Sequence, residues 1–200
     1  MDIIALLTSF IYLVSSSLLL PMLLLLSLLT VWLVVYSGHF FALWLARKRL
    51  PRHLDTIEAF VHQRFNEFSA PVRHFYQQFL QLQKPEIAEI AALNLLRDTE
   101  HRMWRSLDRL KMLIRIGPGL GLIGTLIPMG TGLASLGQGD LSRLSGDLVI
   151  AFTTTVVGMT LGLISYFFFT IQRRWVEEDI KNMELFCELT CKPTAGEQKA

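Results

Sequence analysis

"GPGLGLIGTLIPMGTGL", Gly117–Leu133, holds six glycines and two prolines without a single charge. In water such a run is a poor helix, because each glycine costs about 1 kcal/mol and each proline about 3 kcal/mol relative to alanine. In hydrocarbon every backbone amide must be paired inside the segment, so a helix forms despite weak propensity, and small residues let helix backbones approach closely. The stretch predicts a membrane-crossing helix made for tight packing.

The rest of the chain agrees. Of 200 residues, 52% are hydrophobic and 18% charged, and the mean hydropathy is +0.41, which places the chain among membrane proteins. The net charge of +2 gives no reason to expect nucleic acid as a partner. Cys187 and Cys191 stand without neighbouring histidines, so neither a metal site nor a cofactor is expected.

Residues 3 to 46 contain no Asp, Glu, Lys or Arg, about twice the 20 or so residues one crossing needs. Ser15 to Ser17 and Pro21 suggest a division into an apolar helix at the outer surface and a crossing from Leu18 to Ala46; two hairpinned crossings are the alternative. Two further crossings are expected at 113–136 and 148–171, joined by the short polar turn "GQGDLSRLSGD", 137–147. Apart from Arg115 in the first turn of the earlier one, neither contains Asp, Glu, Lys or Arg. Basic residues gather at Arg47 to Arg49, at Arg109, Lys111 and Arg115, and at Arg173 and Arg174. The positive-inside rule puts all three groups in the cytoplasm.

The expected fold class is therefore an all-α membrane protein with three transmembrane helices, N-terminus out and C-terminus in, and long helices extending into a cytoplasmic helical domain. Region 47–112 supplies most of that domain, with one helix over His53 to Gln83 bent at Pro71 and a second opened by Pro85. Met103, Leu107, Leu110 and Ile114 form one apolar stripe for packing. Region 172–191 continues the third crossing as a cytoplasmic helix, and 192–200 reads as a frayed tail.

Several motifs imitate chemistry. Gly119, Gly121 and Gly124 spell GxGxxG, but no strand precedes them and no P-loop lysine follows. "GQGD" ending at Asp140 matches intramembrane aspartyl proteases, yet no facing carboxylate lies within another crossing, so Asp140 is a turn residue. His39 lacks a nucleophile or partner acid and reads as an interfacial residue. No enzyme activity is expected.

A packing signal remains. Gly117, Gly121 and Thr125 recur every four residues, as do Thr154, Gly158 and Gly162, with Gly124 beside the first row; such grooves favour a tight multihelix or ring assembly. Pro118 and Pro128 distort the helix and free carbonyls of the preceding turn to face water or a side chain. Thr153 to Thr155 either bond their own helix or form a polar lining.

At these residues the chain resembles the MotA/TolQ/ExbB proton-channel family, in its three-crossing ExbB/TolQ form. "GPGLGLIGTL" is similar to the family's second-crossing signature and "AFTTTVVGMTLGL", Ala151–Leu163, to that of the third. The resemblance runs best from Gly117 to Trp175. It implies a homo-oligomeric ring, a pentamer, in a bacterial or archaeal cytoplasmic membrane. The ring would surround single-crossing ExbD/TolR/MotB-like partners that supply an Asp. Thr125, Thr155 and Thr154 would line the proton path. Relatives carry a Glu five residues before the matched threonine Thr155, where this chain has Ile150. Asp147 fits two roles: an acid for outer proton uptake or partner contact, or a carboxylate at a positive helix end.

Overall fold

A computed structural model describes residues 3–48, 68–81 and 88–191. The described residues form four helices and no strand: α1 (Ile3–Lys48), α2 (Ala70–Leu80), α3 (Ala88–Leu136) and α4 (Leu141–Cys191). Helices α1, α3 and α4 are each long and apolar enough to cross a membrane.

The first apolar run is one continuous helix, α1, with Pro21 inside it, and the part of it long and apolar enough to cross a membrane runs from Ser17 to Lys48. Ser17 returns its hydroxyl to Leu13 O at 2.9 Å, so it does not compete with the backbone. Proline at 21 removes one amide, whose helical acceptor would be the carbonyl of Ser17. Two hairpinned crossings are not formed. Pro71, expected as a bend, instead lies in the first turn of α2, whose N-cap Ser69 has an extended backbone; a fixed φ and a missing N–H cost nothing there. The helix foreseen before residue 68, Pro85 and the tail 192–200 fall outside the described residues.

The chain forms two compact units. One comprises Phe40–Arg109 and Phe169–Ala200. Its main core joins Val72, Phe75, Ala92, Met183 and Phe186, with Tyr76 and Phe79 edge-on to Phe186 at 5.1 and 5.0 Å between ring centres. A second cluster sets Leu107 of the apolar stripe against Val176 and Ile180. Arg47 belongs here too. Its guanidinium bonds Asp179 at 3.0 and 2.5 Å and Trp175 O at 3.2 Å, and lies over the Trp175 ring. Ser69 donates to the same carboxylate at 2.8 Å. Burial pushes the Asp179 carboxyl above the usual carboxylate range, outweighing the opposing pull of Arg47 and Ser69.

The other unit comprises Met1–His39 and Leu110–Phe168. Here α3 and α4 form an antiparallel hairpin closed by a tight C-cap. Gly139, at φ +83°, donates its N–H to Leu136 O at 2.9 Å, and the Asp140 N–H reaches Ser135 O at 3.1 Å. This pair of bonds satisfies the last carbonyls of α3 and needs a left-handed residue, hence glycine. Asp140 then starts α4 by accepting the Arg143 N–H at 3.0 Å, as an N-cap does.

Candidate functional site

The turn around Gly139 fixes the register of the hairpin. Residues equally far before and after it, to within three positions, meet across the seam, so four-residue steps on α3 meet four-residue steps on α4. Gly117 faces Gly158 and Gly162, Gly121 faces Gly158 and Thr154, and Gly162 faces Pro118. The approach is at backbone distance. A methyl group at Gly158 would lie 2.6 Å from Gly121 Cα and 2.7 Å from Gly117 O. The glycine rows, expected to serve tight multihelix or ring packing, are engaged within one chain, between its own two helices.

Gly124 marks a three-helix crossing. A Cβ there would sit 2.7 Å from both Met22 Cε of α1 and Thr154 Cβ of α4. Thr154 is correspondingly buried, and its hydroxyl bonds Ile150 O and Ala151 O of its own helix at 3.0 and 2.9 Å. Its position is that of a packing residue. Gly119 and Gly130 have open space in front of them, so the GxGxxG spelling divides between a packed seam and an open face in the middle of a helix.

Thr125 and Thr155 come together. Their hydroxyls form a direct hydrogen bond across the seam. Thr125 Oγ1 also lies 2.9 Å from Gly121 O, and Thr155 Oγ1 lies 3.1 Å from Ala151 O and 3.5 Å from Gly121 O. Both residues are half-buried. Two hydroxyls thus share two protons among each other and two carbonyls, so their bonds can be redirected by rotation alone. The surrounding surface is apolar and open: Leu122, Leu126 and Met129 of α3 and Phe152, Val156 and Met159 of α4 are exposed.

Nearer the turn, Asp147 accepts a hydrogen bond from Thr131 at 2.9 Å. It is the seventh residue of α4, beyond the first turn where the helix dipole acts, and its observed partner is a side chain. Thr131 was not among the expected site residues. Its signal in the sequence is position: Thr131 and Asp147 lie eight residues either side of Gly139. Pro128 is fully buried on the same helix, and Ile150 is exposed. His39 is exposed on α1. Asp140 is taken up by its cap.

Comparison with known proteins follows the same residues. The MotA/TolQ/ExbB proton channel family matches over residues 59–185, well over half of the chain and including the whole seam. A putative biopolymer transport protein ExbB homolog of Methanothermobacter thermautotrophicus is 28% identical over 89 residues, covering 44% of this chain and 32% of that protein. The match therefore spans about a third of the relative's length. No solved structure gives a significant match. With three helices able to cross a bilayer and this match over its hairpin, the chain is a membrane protein that belongs to the MotA/TolQ/ExbB proton channel family.

Proposed function

We propose that this chain is the ring-forming subunit of an inner-membrane motor, which with an ExbD/TolR/MotB-like partner turns proton-motive force into work on the cell envelope or into transport. The observation that carries the reading is the Thr125–Thr155 hydroxyl pair midway along two crossings that hold no Asp, Glu, Lys or Arg over 116–136 and 148–171. A proton path through hydrocarbon needs a titratable group near the membrane centre. In α3 and α4 the only side chains there able to exchange hydrogen bonds across the seam are hydroxyls, so the carboxylate comes from another chain. An Asp on a single partner helix, placed against the exposed face beside Thr125 and Thr155, fills that need.

Oligomerisation into a pentamer, with N-termini outside and C-termini in the cytoplasm, completes the reading. It is supported by the basic groups at Arg47 to Arg49, Arg109 to Arg115 and Arg173 to Arg174, and by the extent of apolar surface that one copy leaves exposed. In the ring, Gly117, Gly121, Gly124, Gly158 and Gly162 keep the hairpin of each subunit rigid, while the partner moves against it. A charge crossing about 100 mV delivers roughly 2.3 kcal/mol, so a working stroke draws on several protons.

The test is reconstitution of chain and partner in lipid vesicles under a proton gradient. Flux is expected only with both present, and is lost when the partner's intramembrane Asp is replaced by Asn. A complex that assembles normally and conducts nothing under any gradient favours a scaffold and overturns the proposal.

A further inference from the structure

Asp147 and Thr131 make a second polar pair on the seam, separate from the Thr125–Thr155 pair and nearer the turn. Thr131 has one hydroxyl proton and three acceptors for it: Asp147 Oδ2 at 2.9 Å, Pro128 O at 3.0 Å and Ile127 O at 3.5 Å. The hydroxyl oxygen can itself accept. Space for the carboxylate comes from Gly132, where a Cβ would stand 3.3 Å from Asp147 Cβ and 3.6 Å from its Oδ2. The other charged groups at this end are Arg143, one helical turn earlier on α4, and Asp140, which is occupied as the cap. On α3 no charged residue lies between Arg115 and Leu136, and on α1 none lies between Ile3 and His39.

We infer that Thr131 is a hydrogen-bond switch that positions Asp147 for reversible protonation at the turn end of the seam. This rests on the proton-path reading above and assigns the residue that makes Asp147 able to serve in it. When Asp147 is ionised, the Thr131 O–H donates to Oδ2. When a hydronium ion delivers a proton, its O–H bond breaks as an O–H bond forms on the carboxylate, and a water molecule is left. The new O–H then donates to Thr131 Oγ1, and the threonine turns its own proton to Pro128 O. Release to the next acceptor reverses both moves. Thr131 keeps its proton throughout, so both charge states of Asp147 hold a full hydrogen bond without moving either helix. The same geometry gives this chain an acid at a turn of α4 other than that of Ile150.

Proton flux is measured in vesicles holding the complete complex, with assembly checked by co-purification of the partner. Thr131→Val keeps the shape and removes the hydroxyl, and is expected to cut flux about tenfold, as loss of one hydrogen bond from the barrier would. Thr131→Ser restores flux to within about twofold of the parent on the same reasoning. Asp147→Asn lowers flux by a similar factor, and the double variant loses no more than the larger single loss, because the two residues act as one unit. Undiminished flux in Thr131→Val, or losses that multiply in the double variant, overturn the inference.

An infrared pH titration gives a second readout that does not depend on transport. The protonated-carboxyl band that vanishes in Asp147→Asn is expected to move in Thr131→Val and to return in Thr131→Ser; an unmoved band overturns the switch. Failure of the underlying function shows differently, as a parent complex without flux whose infrared band still responds to Thr131→Val.

Discussion

Thr125 and Thr155 bond hydroxyl to hydroxyl across two helices. Thr153 and Thr160, by contrast, bond the carbonyl four residues back, at 2.7 Å each, and Thr154 is held by Ile150 O and Ala151 O. A sequence with "TTT" at 153–155 does not say which of three adjacent hydroxyls faces the neighbouring helix, because successive residues point about 100° apart on a helix and the rotation is set by packing. The glycines allow a sharper expectation. Gly158→Ala puts a methyl group 2.6–2.8 Å from the Gly121 and Gly117 backbone, which cannot turn aside, so a loss of about 1–3 kcal/mol is expected. Gly119→Ala meets nothing within 4 Å and is expected to be neutral or to stabilise by up to about 1 kcal/mol. Denaturant titration of helicity in detergent measures both, and equal effects would contradict the seam geometry.

At the scale of elements, the hairpin α3–α4 was legible in outline: two apolar segments, a short polar turn and matching rows of small residues. What the sequence left open was which rows meet. That is decided by the C-cap at Gly139, whose left-handed backbone sets the point of reversal and hence the pairing of Thr131 with Asp147 and of Thr125 with Thr155. Helix α1 was harder to read, since Ser15 to Ser17 and Pro21 are breaking signals in water, and hydrocarbon suppresses the breaks they signal. A substitution at the turn tests the register. Gly139→Val forces a β-branched residue to φ +83°, at a cost of about 1–2 kcal/mol. Flux is expected to fall along with stability, whereas Gly137→Ala, whose nearest neighbour is Ala134 O at 3.5 Å, leaves both close to the parent. A flux unaffected by Gly139→Val would separate the turn from the function.

On the scale of the whole molecule, the basic groups do more than orient the chain. Arg47, expected only as a cytoplasmic flank, is held by Asp179, Trp175 and, at 3.6 Å, Glu178. The Asp179 side chain is only 3% exposed, so Arg47→Ala strands a buried charge, with an expected loss of about 3–5 kcal/mol. The pH dependence follows in sign. Because burial raises the folded carboxyl, this group favours the fold at pH below its unfolded value, and that contribution is lost as pH rises through the raised value. Arg47→Ala removes the cation that opposes the shift, so its destabilisation is largest in alkaline solution and shrinks on acidification. Asp179→Asn in the same background is expected to recover part of the loss. Thermal melts across pH check this, and a deficit that grows on acidification would contradict it. None of this network was visible in the sequence, since 132 residues separate Arg47 from Asp179 and no local pattern pairs them.

In the proposed function the paired hydroxyls of α3 and α4 carry protons passed on by a partner's acid. Proton flux through vesicles containing the assembled complex, comparing the parent with Thr125→Ala combined with Thr155→Ala, tests it most directly. Flux is expected to fall about tenfold or more, the equivalent of at least one lost hydrogen bond, with the partner still bound. Unchanged flux and unchanged partner-dependent work at normal membrane levels would contradict it.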